Sequence, residues 1–442
     1  MLAFTFGRLR NVFSVCLISA ALCACGGGEA ARQNVKARSQ LSILDALTPI
    51  DAPVEASLPV SLVAIRDGKD DPETWVTGRG KVPANAIKRP LRVASVSKLA
   101  VAIVAMSLVE DELLDLDQDV STILGWTLRH PLHPDAAITP RLLLSHQSGL
   151  TDGAEYQADL PASLELLMTD ERFFELPYAP GTYFKYANIN YGVLATVMEA
   201  VSDTRFDVLM QERLFEPAGL DVGFNWHGVS LSRQAQAIPL GRYGTLRTIA
   251  AAANEEGADS LPDSVVITID GEPVGPSPAR RALDSYIPGT NATVFSPQGG
   301  MRASLLDLVT LGEIFITNGK INGARILKSR TMNAMVEEQW RYSEDEDNGD
   351  SYDGLMRAFG LGVHIYEPNE ACFPSQRARY YGHFGEAYGL LGGLLVDPKG
   401  DETIAYLFPY TPDDAADQIS ACSGLYIWEE QLLKTALAPK GD

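Results

Sequence analysis

The sequence predicts an α+β fold, an antiparallel sheet flanked by helices, with a mainly helical region inserted between the two halves of the sheet. Three observations predict it. Strand-like runs cluster at both ends of the chain, helical runs fill the middle, and no repeat period divides the 442 residues. Hydrophobic residues make up 46% and charged residues 21%, which excludes a disordered, collagen-like or coiled-coil class for the bulk of the chain.

The first element is an address rather than a fold. Arg8 and Arg10 precede an apolar run at 12–22, too short to anchor across a bilayer and suited to a secretory signal. The run ends in Leu22-Cys23-Ala24-Cys25-Gly26, similar to a bacterial lipoprotein box with Cys25 as the lipidated residue. Cys23 departs from that box, so lipidation and plain cleavage both stay open. The reading is a signal at 1–24, a small polar tether at 25–57 and a body at 58–437, exported to the periplasm and held at the membrane by a lipid.

Within the body, residues 58–66 (LPVSLVAIR) read as a strand, with a turn at Asp67-Gly68 and a return strand at 74–78. A strongly apolar helix follows at 99–114, with Ser95 and Ser97 as its start signals. Shorter helices are expected at 140–145 and 164–168, and a longer one at 190–201. Residues 228–290 are irregular, rich in scattered Gly and Pro, and read as a variable insertion. A helix is expected at 305–318 and an acidic surface loop at 344–353, which lacks the ligand spacing of a calcium loop. Strands at 388–395 and 403–408 and a closing helix at 425–437 complete the chain. The sheet portion is thus 58–115 plus 291–437, and the helical, variable insertion is 116–290.

Charge and cysteines narrow the class. Net charge is −21, and loss of the first 24 residues, with Arg8 and Arg10 and no acid, takes it to −23. A body this acidic is repelled by phosphate backbones, so no nucleic-acid partner is expected. Three of the five cysteines lie in or at the end of the signal, leaving Cys372 and Cys422 as an even pair in an exported chain. A Cys372–Cys422 disulfide is expected, with two separate buried thiols as the alternative.

Several chemistries are absent. No Gly-x-Ser-x-Gly elbow, His-Glu-x-x-His helix or Gly-rich phosphate loop occurs. His130 and His133 sit in a proline-broken segment that cannot present one helical face, so they read as loop histidines. No metal and no cofactor are expected.

Three motifs carry positive signal. Ser95-Val96-Ser97-Lys98 is Ser-x-x-Lys at the mouth of the apolar helix, and a spacing of three puts Ser95 and Lys98 on one helical face. A serine hydroxyl needs a base to become a nucleophile, and a buried lysine amine supplies one. Tyr186-Ala187-Asn188 is the only Tyr-x-Asn among 16 tyrosines. Tyr186 serves as base or relay if nearby cations lower its pKa, and Asn188 offers an amide to hold Lys98 and a substrate carbonyl. Gly382-His383-Phe384-Gly385 lies just before the apolar strand at 388–395, where a strand edge offers N–H groups to an oxyanion. Each motif alone also fits a bland reading: a helix cap, a packed tyrosine, a lone strand histidine.

Their order and spacing resemble the serine β-lactamase and penicillin-binding superfamily, most closely its class C and D,D-peptidase-like branch. Supporting stretches are Ile138 to Leu150 (ITPRLLLSHQSGL), Pro180-Gly181, Ser296 to Met301 (SPQGGM) and Asp307-Leu308. The resemblance implies a β-lactamase/transpeptidase-like fold and these roles. Ser95 attacks a carbonyl and is acylated. Lys98 and Tyr186 move its proton to the leaving group, and Asn188 positions substrate and Lys98. The N–H groups of Ser95 and Glu386 form the oxyanion hole, with Gly385 allowing close approach and His383 contacting substrate. His146 and Ser148 read as structural. The third motif departs at two positions: His383 takes the place of a lysine that presents a permanent positive charge, and Phe384 replaces a small hydroxylic residue. The resemblance therefore does not carry efficient β-lactam hydrolysis, or a preference for a carboxylate, over to this chain. The expected activity is an exported serine hydrolase that cleaves an amide or ester of a small-molecule or peptide substrate through acyl-Ser95. The alternatives are a carboxylesterase on the same fold and a non-catalytic membrane-tethered binding lipoprotein.

Overall fold

The computed structural model describes residues 59–242 and 283–437, apart from 79–81, 83–84, 154, 225, 227, 239, 284, 374–378, 388 and 412–417. The expected signal and tether, with Cys25, and most of the segment at 228–290 read as a variable insertion lie outside the described residues.

An eight-stranded antiparallel sheet forms the frame. Its strands are β1 (Pro59–Asp67), β2 (Glu73–Gly78), β3 (Trp340–Arg341), β4 (Ala358–Phe359), β5 (His364–Tyr366), β6 (Tyr380–Ala387), β7 (Leu390–Asp397) and β8 (Glu402–Phe408). Their spatial order is β2-β1-β8-β7-β6-β5-β4-β3. The first strand of the described residues therefore pairs with the last strand of this sheet, β1 with β8, next to the β2 edge, and Leu62 faces Leu407.

The central strands are buried on both faces, which is why β7 reads as an almost unbroken apolar run, LLGGLLVD. Period-two alternation still sorts their side chains. Leu394, Val396, Ala405 and Leu407 join the large core shared with the helices from the middle of the chain. Leu391, Leu395, Ile404, Tyr406 and Phe408 pack on the other side with Leu432 and Leu433.

Four helices matter for the site: α1 (Ser97–Glu110), α2 (Ile189–Ser202), α3 (Leu305–Ile316) and α4 (Ile427–Ala436). Residues Ser97 to Leu108 of α1 are all buried, so the helix is a core rod rather than an amphipathic surface element. Ser304 caps α3 through a box in which Ser304 Oγ accepts the Asp307 N–H and Asp307 Oδ2 accepts the Ser304 N–H. α3 packs on β1, β7 and β8, and α4 covers the opposite face.

Three expectations are corrected. Neither Ser95 nor Ser97 caps α1; the cap position is Val96 and no side chain bonds to the free N–H groups. The helix ends at Glu110, four residues early, because Glu112 enters the left-handed region at φ 59°. The Gly382–Gly385 motif does not merely precede the apolar strand, which is β7, but lies in the middle of a strand of its own, β6. Glycines weaken intrinsic strand preference, but here ladders on both sides, to β5 and β7, override it. The predicted disulfide is present: Cys372 and Cys422 are joined, tying the segment ahead of β6 to the loop ahead of α4.

Candidate active site

Ser95 lies in a single 3-10 turn, Ala94–Val96, between the short strand Leu91–Arg92 and α1. Ala94 holds φ 47°, an unfavourable angle for a residue with a Cβ, and this reverses the chain just ahead of Ser95. Three hydrogen bonds hold the turn. Val93 N–H bonds Met301 O at 3.1 Å, and Ser97 Oγ donates to Ala94 O at 2.6 Å while accepting the Met301 N–H at 3.1 Å. Ser97 is thus a buried brace for the turn that carries Ser95.

Lys98 is fully buried in the first turn of α1. Its Nζ lies 3.0 Å from Ser95 Oγ, 2.8 Å from Asn188 Oδ1 and 2.8 Å from Gln298 O. Burial drives its pKa down to about 7, against a smaller upward pull from Asp152. The three partners suit either protonation state. A neutral amine donates to Asn188 Oδ1 and Gln298 O and accepts the Ser95 hydroxyl proton; an ammonium donates to all three.

Tyr186 and Asn188 come from the segment that enters α2. Tyr186 hydrogen-bonds Ser95, and Lys98 Nζ sits 4.8 Å from its ring centroid. The condition set for Tyr186 as a base, a pKa lowered by nearby cations, is not met. Desolvation dominates and holds it well above 10, so the phenol is protonated. Asp152 organises this segment by accepting Asn188 N–H and Nδ2–H, both at 2.8 Å, and Ile189 N–H at 3.0 Å. It therefore caps α2 and turns the Asn188 carbonyl oxygen toward Lys98.

His146 and Ser148 brace the same loop. His146 Nδ1 accepts the Ala187 N–H at 3.1 Å, and its ring stacks on Tyr186 at 4.3 Å. Ser148 Oγ donates to Asn190 Oδ1 at 2.6 Å.

His383 and Gly385 arrive on β6. His383 is 1% exposed, and burial followed by the nearby Lys98 keeps its pKa well below 6.5. It is a neutral imidazole whose Nδ1 donates to Phe384 O at 2.5 Å. Nε2 is left as an acceptor with no hydrogen-bond partner among the described residues. Gly385 admits no side chain, since a Cβ there would stand 2.7 Å from Val93 O and 3.4 Å from Ser95 N. β6 therefore lies directly against the turn of Ser95. Next along it, Glu386 is exposed and accepts a hydrogen bond from Tyr426 Oη at 2.7 Å.

These groups open onto a cavity of about 350 Å³ lined by Ser95, Tyr186, Asn188, His383, Phe384 and Glu386, among others. Phe384 makes an apolar wall, edge-on to His364 and Tyr366 at 5.3 Å each. His130 and His133 lie elsewhere, and each Nε2 bonds a backbone carbonyl, Leu176 O at 2.8 Å and Pro177 O at 2.7 Å.

Sequence reasoning missed Asp152 and Gln298. Asp152-Gly153 carries only a turn signal, and Gln298 acts through its backbone oxygen, which no side-chain motif reveals.

A lovastatin esterase from Penicillium rubens is 31% identical over 153 residues, which is 29% of this chain and 38% of the esterase, well under half of that relative. A β-lactamase/D-alanine carboxypeptidase from Yersinia pestis shares the fold at a TM-score of 0.59 and 13% identity, over 92% of this chain and 99% of that one. A D-amino acid amidase from Ochrobactrum anthropi SV3, complexed with L-phenylalanine amide, does so at 0.58 and 16%, over 89% and 98%. The Beta-lactamase family model matches residues 55–420, and with the fold in agreement the chain belongs to the β-lactamase family of serine hydrolases.

Proposed function

We propose that the protein cleaves an amide or ester bond through an acyl-enzyme on Ser95. The observation that carries this reading is Lys98, buried, with a pKa near 7, and 3.0 Å from Ser95 Oγ. Near neutral pH a large fraction of the amine is unprotonated and accepts the serine proton as Oγ attacks the carbonyl carbon. The Ser95 and Glu386 N–H groups receive the developing oxyanion, a role supported by the contact of β6 with the Ser95 turn. Tyr186, protonated and hydrogen-bonded to Ser95, relays the proton to the leaving nitrogen or oxygen. Water then attacks the acyl carbonyl, its proton passes to Lys98, and Lys98 returns that proton to Ser95 Oγ as the Oγ–acyl bond breaks. Asn188 and Asp152 hold the lysine in place throughout.

The neutral His383 presents no cation to a substrate carboxylate, which argues against β-lactams as good substrates. Carboxylester cleavage is the second reading, favoured by the apolar Phe384 wall and by the esterase relative. Intact-mass measurement after incubation with p-nitrophenyl esters, amino-acid p-nitroanilides, D-Ala-D-Ala peptides and nitrocefin tests the proposal. An acyl adduct on the wild type and none on Ser95→Ala is expected. Equal turnover by Ser95→Ala would refute it.

We also propose export with a lipid on Cys25, supported by the leader sequence and by a disulfide suited to an oxidising compartment. Membrane-fraction retention that Cys25→Ala abolishes is the expected result; equal retention of both would sink the anchor.

A further inference from the structure

The cavity beside Ser95 is acidic and aromatic. Its lining includes Glu386 and Asp353 and the rings of Tyr156, Tyr352 and Tyr426, while Glu429, also in the lining, is held protonated by burial and adds no charge near neutral pH. Arg92 is the basic side chain among the described lining residues, and it is buried and already engaged in an interaction of its own. Such a lining repels an anionic acyl group and suits a cation, since carboxylates pair with an ammonium and aromatic faces attract one.

A second observation points the same way. His383 is 1% exposed, lines this cavity, and has Nδ1 committed to Phe384 O. Its Nε2 is thus an acceptor without a hydrogen-bond partner among the described residues. A buried acceptor calls for a donor, and a substrate carboxylate has none to give at neutral pH. An amine or amide N–H does. Glu386 is placed to anchor the charge. It stands one residue beyond Gly385, at the mouth of the cavity, and Tyr426 Oη fixes one of its oxygens at 2.7 Å.

Resting on the acyl-Ser95 reading, we propose that the substrate's acyl group carries a free, protonated amine beside an apolar side chain, as in amino-acid amides and esters, and that Glu386 is the residue that selects it.

The test is a matched trio of p-nitrophenyl esters or p-nitroanilides: phenylalanyl with a free amine in both hands, the same compound N-acetylated, and 3-phenylpropionyl, which lacks the nitrogen. Wild type is expected to favour the free amine of one hand by about 10- to 100-fold in kcat/KM over both amine-free partners, the range of one charge-assisted hydrogen bond. Glu386→Gln should collapse that ratio toward one, and Glu386→Asp should retain part of it. Equal kcat/KM across the trio in the wild type overturns the inference with no variant needed, as does a ratio untouched by Glu386→Gln. If no member of the trio is turned over and a fluorophosphonate fails to label Ser95, the acyl-enzyme reading falls with it. Labelling of Ser95 with a preference for the amine-free compounds sinks the amine proposal alone.

Discussion

Replacing Gly385 by alanine perturbs the site by one methyl group whose position is fixed. That Cβ would stand 2.7 Å from Val93 O, 3.3 Å from Val96 Cγ2 and 3.4 Å from Ser95 N. The Val93 contact is about 0.5 Å inside a normal carbon–oxygen approach, and two of these atoms are backbone, so no side chain can swing away. Either β6 or the turn of Ser95 must retreat by roughly that distance. Both carry an N–H assigned to the oxyanion hole, so the nucleophile and the donors separate. A misplacement approaching 1 Å lowers a rate by about 10²-fold, and a clash of this kind costs about 1–3 kcal/mol of stability. We expect Gly385→Ala to reduce kcat by one to two orders of magnitude, to change KM little and to slow fluorophosphonate labelling of Ser95 in parallel. Steady-state kinetics on a p-nitrophenyl ester with thermal unfolding measured alongside is the assay. A kcat within threefold of wild type would refute the close-approach argument, whatever the unfolding midpoint does.

Other perturbations separate the remaining parts. Asp152→Asn removes a charge that raises the Lys98 pKa, so the acid limb of kcat/KM near pH 7 should move down, by about 0.5–1 unit because Asp152 is exposed and screened; an upward move would count against Lys98 as the base. Replacing Cys372 and Cys422 together by serine opens a bridge spanning 50 residues, worth about 4 kcal/mol in the chain-entropy model, and frees the loop bearing Ile419, Leu425 and Tyr426. A lower unfolding midpoint and a higher KM are expected, and no change in either would contradict the role given to the loop. Burial raises the Glu429 pKa to about 8. The fold holds this proton where the unfolded chain has released it, so stability from this group falls as pH rises from about 4.5 to 8. Glu429→Gln should flatten that decline in unfolding midpoint; an unchanged slope would show that Glu429 does not titrate this way.

Much of this was legible in the sequence because it rests on local patterns. The apolar run of α1, the hairpin of β1 and β2, and the strands β7 and β8 show their periodicity directly, and Ser95, Lys98, Tyr186 and Asn188 sit in motifs with a chemical reason for their spacing. What escaped was set by tertiary contact. β6 holds two glycines, and only its two neighbours make it a strand. β3 and β4 are two residues long, below any periodic signal. Tyr186 sits close to Lys98, which argues for a lowered pKa, but the desolvation that reverses the shift comes from packing by distant elements. Asp152 is 36 residues from the amide it orients, so nothing near Asn188 announces it.

The arrangement of Lys98, Asn188 and Asp152 also explains why an amide stands in the middle. A carboxylate in direct contact with Lys98 would stabilise the ammonium and leave no base at neutral pH. The amide passes on the orientation imposed by Asp152 while keeping that charge one residue away. Asn188→Asp puts this to the test, since it keeps the shape and the contact and adds only the charge. At the 2.8 Å separation of Lys98 Nζ and Asn188 Oδ1, a full pair is worth about 6 kcal/mol at an effective dielectric of ~20, or roughly four pH units. Halving this for partial exposure and for repulsion by Asp152 still moves the Lys98 pKa from about 7 to about 9. The variant should lose about 100-fold in kcat/KM at pH 7 and recover much of it by pH 10, whereas Asn188→Ala, which loses the contact itself, should stay impaired at every pH. A uniform loss in both variants would mean that Asn188 acts on the substrate alone, and that the lysine is tuned by something other than the amide that holds it.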